Sequence, residues 1–178
     1  MSLSPVARKL ALVTHITASV GWVGADAAFL ALAIRGLSTT DVQTARASYM
    51  AMATIAWAVI IPLSFASLLT GLIQALCTKW GLFRHYWVVI KFLIAVVAVA
   101  VLMVHTRPID LVSHAAASNF TAGDFHSSRI QLVVAAGAGL AVLLVALALG
   151  VFKPRGMTSY GWRKHRQHYV DEQAITSK

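Results

Sequence analysis

The chain has little charge, little acid and almost no cysteine. Of its 178 residues 12% are charged, 58% are hydrophobic, and the mean hydropathy is +0.74. A water-soluble helical bundle needs a polar face on every helix, and most of the apolar stretches here have none. That excludes an ordinary soluble domain. Cys77 is the single cysteine, so no intrachain disulfide can form and no zinc spacing exists. Lys and Arg outnumber Asp and Glu by 15 to 6. Base-stacking aromatics on a folded soluble module are missing, however, which argues against nucleic acid as the partner of that charge. Six of the fifteen basic residues fall at or after Lys153. Beside an apolar run, such a cationic tail acts as a topology anchor or a contact for anionic lipid head groups. No internal repeat is visible, and the length is that of one domain.

What the chain does have is four long apolar runs, at about residues 10–34, 49–76, 87–105 and 129–152. Each is long enough to cross ~30 Å of hydrocarbon, which takes about 20 helical residues. The expected fold is therefore all-α: an integral membrane four-helix bundle, up-down-up-down, over residues 1–152, followed by a basic tail at 153–178. Arg8 and Lys9 ahead of the first run imitate a signal peptide, but the run continues through Ile34, too long for a signal h-region, and reads as a retained span. Between the runs, Ser38 to Asp41 offer helix-capping side chains. Pro62 predicts a kink in the second helix, because its ring cannot donate to the Ala58 carbonyl. Thr106 to Ser128 reads as the longest connector, with a short surface helix over Ile109 to Ser118. The fourth run has no ionisable group between Leu132 and Gly150 and reads as a packing element with small-residue contacts. With four spans, one side of the membrane carries Arg8, Lys9, Lys79, Arg84 and the six basic tail residues. The other carries Arg35, Arg46, Arg107 and Arg129. Ten against four puts both termini in the cytoplasm, and the protein in the cytoplasmic membrane, by the positive-inside rule.

The first run holds the groups that call for an explanation. At about 100° per residue, His15, Ser19, Trp22 and Asp26 share one helical face. Ala18, Gly21 and Ala25 beside them leave room for a helix or a flat ligand. His15 lies ~9 Å past Lys9, and Lys91 ~6 Å past Trp87, so the two sit at similar depth. Asp26 and His105 match similarly toward the far side. If the first and third helices are neighbours, two polar layers face the bundle interior. The plainer readings are a lysine extending its amine to the head groups, a histidine satisfied by a backbone carbonyl, and an Asp26 that pairs locally or points into the outer head-group region.

With its closing segment Lys153-Pro-Arg-Gly-Met-Thr-Ser-Tyr-Gly161, the chain resembles an uncharacterised family of four-span bacterial membrane proteins. That family is distantly similar to the copper-resistance D-type proteins and to the membrane protoporphyrinogen oxidase that binds haem b. In the oxidase a first-span histidine precedes a tryptophan by seven positions, as His15 precedes Trp22, and a third-span lysine follows a tryptophan by four, as Lys91 follows Trp87. The oxidase carries a histidine where this chain has Val89. The resemblance implies haem b between the first and third helices, with His15 on the iron and Lys91, Trp22 and Ser19 around it, for electron transfer or haem and porphyrin handling. A second reading is a copper transport accessory with an outer metal site at His105 and Asp26, or using His114 and His126. A third is a non-catalytic membrane subunit. Homo-oligomerisation and a redox partner protein are both compatible with the sequence.

Overall fold

The structure, a computed structural model, describes residues 4–77, 85–117, 126–152, 156, 158, 162–163 and 166. Among them no strand occurs, and four helices are long and apolar enough to cross a membrane. The expected connector residues Lys79, Trp80, Arg84 and Asp124 and most of the basic tail lie outside the described residues.

Helix α1 spans Pro5–Ser38. It starts where chain chemistry favours a start: the Ser4 hydroxyl accepts the Ala7 N–H at 3.2 Å, and Pro5 fills a first-turn position that needs no donor. At 1.5 Å per residue its 34 residues extend roughly 51 Å, well beyond ~30 Å of hydrocarbon. Helix α2 (Val42–Ile55) begins after a break of three residues. Its cap is Asp41, whose carboxylate accepts the N–H groups of Gln43 at 3.2 Å and Thr44 at 3.0 Å, and the Thr44 hydroxyl.

That cap has a pH signature. The Thr44 hydroxyl, followed by the Thr44 and Gln43 amides, holds the Asp41 carboxyl below the usual carboxylate range. A carboxyl depressed by folding contributes stability above its unfolded value of about 3.9, and the contribution is lost as pH falls through the lower folded value. The Thr44 amide nitrogen shift should therefore titrate with a midpoint below about 3.9. A midpoint at or above that value would show that the cap is not formed.

The second span has three parts: α2, a π turn over Ala56–Ile60, and α3 over Ile61–Cys77. The π turn lies just ahead of Pro62, where a kink is expected. The Ile61 N–H reaches the Ala56 carbonyl, five residues back, which widens the turn just where the proline ring would crowd the Ala58 carbonyl. Within α3 the hydroxyls of Ser64 and Thr70 donate to the carbonyls of Ile61 (2.8 Å) and Ala66 (2.6 Å).

Helix α4 covers Tyr86–Ala117 and corrects the expected connector. Pro108 does not end it, and residues 106–117 continue the third span instead of forming a separate surface helix. The turn ahead of the proline is tied by side chains, with Thr106 Oγ1 donating to the Met103 carbonyl and His105 Nδ1 to the Val101 carbonyl, each at 2.8 Å. Beyond Pro108, the buried residues Ile109, Val112 and Ala116 fall on one face. They join Phe29, Ala33, Tyr49, Met52 and Leu132 in a single core. Helix α5 spans His126–Phe152.

The spans form a square. α1 packs against the second span and α5, and α4 packs against the same two. Among the described residues α1 and α4 make no backbone contact, so the first and third spans are diagonal, not neighbours. Val20, Leu69, Val97, Val104 and Val145 are exposed on the outer faces, which suits helices whose surroundings are lipid tails.

Candidate functional site

The expected stripe on α1 divides between two neighbours. His15 and Ser19 face α3. His15 Nδ1 lies 3.0 Å from the Ser67 carbonyl oxygen and 3.1 Å from Thr70 Oγ1. A carbonyl can only accept, and the Thr70 hydroxyl already donates to the Ala66 carbonyl. Nδ1 must therefore carry the proton, and in the neutral ring Nε2 holds a lone pair. Ser19 Oγ and Ser67 Oγ are 2.8 Å apart, and Gln74 Nε2 donates to the Ala11 carbonyl at 2.9 Å. These contacts form a polar seam between α1 and α3. Gly71 makes the seam close: a Cβ there would sit 3.0 Å from His15 Cε1.

Lys91 is half-buried and turned onto α5, where Gly150 leaves space for it. A Cβ on Gly150 would lie 2.8 Å from Lys91 Nζ.

Trp22 and Asp26 line a different space. A cleft of about 610 Å³ runs between α1, α4, α5 and the π turn, with Trp22, Asp26, Phe29 and His105 in its wall. Among the described residues Asp26 has no local partner, contrary to the expected pairing, and it lines the cleft. Its Oδ2 is buried without a hydrogen-bond partner, beside Gly139, where a Cβ would lie 3.4 Å away. Because α1 runs on to Ser38, Asp26 lies about 18 Å before the helix end. His105 shares the cleft, so the pair expected at similar depth is brought to one space. Among the described residues, no group of three or more His, Cys, Asp or Glu is placed to hold a metal, and His105, His114 and His126 form no such cluster. The fourth span is more than packing: α5 supplies much of the cleft wall and the two glycines beside Asp26 and Lys91.

Arg129 was counted among the surface charges, yet it is 2% exposed. Its Nε donates to the Tyr49 hydroxyl at 2.8 Å and its Nη2 to the Gly36 carbonyl at 2.7 Å, with the guanidinium 5.4 Å from the Tyr49 ring centre. Gly36 lies in the last turn of α1, whose carbonyls have no partner within the helix. One side chain of α5 thus caps α1 and holds α2. A Cβ at Gly36 would lie 2.7 Å from Tyr49 Cζ, so only glycine admits this approach.

No family model, curated protein or solved structure matches the chain. Its chemistry is read from its own geometry.

Proposed function

We propose that this is a four-span protein of the bacterial cytoplasmic membrane that binds haem b between α1 and α4, at the level of His15 and Lys91. The observation that carries the reading is the His15 imidazole, anchored through Nδ1 on the Ser67 carbonyl. Metal-ligating histidines are commonly held this way, with the other nitrogen free for the metal. Diagonal placement suits the role. Neighbouring helices in a bundle lie about 8–10 Å apart, so diagonal ones lie roughly 11–14 Å apart, with the bundle interior between them. Lys91 would hold the group either through a neutral amine or by pairing its ammonium with a propionate. Ser19 fixes the seam through Ser67. When bound, haem supplies one-electron chemistry, suited to electron transfer or haem and porphyrin handling.

The test is a reduced-minus-oxidised spectrum of wild type and His15→Ala, both expressed with haem supply. A b-type spectrum in the wild type that is lost in the variant is expected. A colourless wild type, or an unchanged variant spectrum, overturns the reading.

The same proposal has the helices alternating in direction with both termini cytoplasmic. Support comes from the ten-to-four charge asymmetry, from His15 near the start of α1 meeting Thr70 late in α3, and from Arg129 at the start of α5 meeting Gly36 at the end of α1. Reporter fusions at Asp41 and Lys178 should read opposite compartments, and the same compartment at both would contradict it.

A further inference from the structure

We infer that the cleft between α1, α4 and α5 is a binding site for a small lipophilic ammonium ion, an amine cation carrying an apolar body. This goes beyond the haem reading, since His15 and Lys91 are not part of the cleft wall. Its volume of about 610 Å³ lies within the usual size of small-molecule pockets, roughly 300–1,000 Å³. The wall is almost entirely aliphatic and aromatic, and its polar side chains are Asp26, His105, Ser127 and Gln131. No Lys or Arg is among the lining residues.

Asp26 sets the chemistry of the occupant. Among the described residues its Oδ2 is buried with no hydrogen-bond partner, and a carboxylate withdrawn from water is costly unless a counter-charge meets it. No Lys or Arg among the described residues lines the cleft to meet it. His105 adds a second acceptor: its Nδ1 donates to the Val101 carbonyl at 2.8 Å, which leaves a lone pair on Nε2 of the neutral ring. Asp26 is the one carboxyl among the described lining residues, and a carboxylate in the same wall as an acceptor imidazole suits a head group that donates and carries positive charge, as an ammonium does. Trp22 and Phe29, in the same wall, favour a cation further, because aromatic faces attract positive charge. Val97, Val101, Val134 and Val142 line the cleft and are themselves exposed, so the cleft is open, and in the proposed membrane setting it is reached from the lipid.

The experiment uses the full chain in nanodiscs of zwitterionic lipid near neutral pH, with empty discs as the partition blank. The probes are 2-(1-naphthyl)ethylammonium and its neutral counterpart 2-(1-naphthyl)ethanol, followed by naphthyl fluorescence. The expected result is saturable binding of one ammonium probe per chain, roughly tenfold or more tighter than the alcohol. Asp26→Asn should abolish that preference. Val134→Trp, which fills the cleft from an exposed position without touching the fold's core, should weaken both probes. Equal affinity for the two probes in the wild type is what a carboxyl kept neutral would give, and it overturns the proposal. So does the absence of saturable binding, or an ammonium preference that survives Asp26→Asn.

Discussion

Arg129→Met should destabilise the bundle by roughly 2–5 kcal/mol, because it takes the donor from two buried acceptors at about 1–3 kcal/mol each. Arg129 is 2% exposed and reaches two partners from different helices, the Tyr49 hydroxyl and the Gly36 carbonyl. Methionine fills similar space but donates nothing, so both acceptors are left without this donor in a region from which water is excluded. Tyr49→Phe removes only the hydroxyl and should cost less, about 1.5–3 kcal/mol for a hydrogen bond to a charged group. The two changes should be less than additive when combined, because they share a contact. Reversible unfolding in mixed micelles gives all three values. An Arg129→Met protein within about 1 kcal/mol of wild type would show that the guanidinium is not an organising contact of this end.

The same cluster marks the limit of what could be read from the chain. Gly36, Tyr49 and Arg129 are joined across separations of 80 and 93 residues, and no local spacing connects them. Arg129 looked like a boundary charge because it heads an apolar run. In the structure it is the last-turn carbonyl of another helix that determines where it points. The four spans were legible because length and hydropathy are local properties, and the Asp41 cap because capping is a contact over two or three residues.

The continuation of α4 was partly legible and was misread. Ile109, Val112 and Ala116 recur at helical spacing and are buried, but Pro108, Asp110 and His114 in the same stretch suggested a connector. A proline removes one donor, and a membrane helix tolerates that when neighbouring groups hold the turn, here His105 and Thr106. The stripe on α1 was correct as a helical face but not as one site. A straight helix crossing its neighbours presents one face to different partners at different heights. His15 and Ser19 therefore meet α3, while Asp26, eleven residues on, meets the cleft and Gly139 of α5.

Asp26→Leu should make the protein more stable and, at the same time, abolish its preference for the ammonium probe. Aspartate and leucine branch at the same atom, so the two methyl groups occupy the positions of the carboxyl oxygens. The missing side chain at Gly139 leaves space where Oδ2 now lies. What changes is solvation: Oδ2 is buried without a partner, and a buried unsatisfied polar group costs about 1–3 kcal/mol, more when charged. The cleft that residue 26 lines is mostly apolar, so a leucine suits it better than an unpaired carboxyl. Unfolding in mixed micelles should therefore show a gain of roughly 1–3 kcal/mol over wild type. A polar residue retained at a net cost to the fold is expected where it serves a ligand, since binding groups are often less stable than their apolar replacements. Loss of stability in Asp26→Leu would mean that the carboxyl is already satisfied in the folded protein, and the orphaned acceptor would no longer call for a cation.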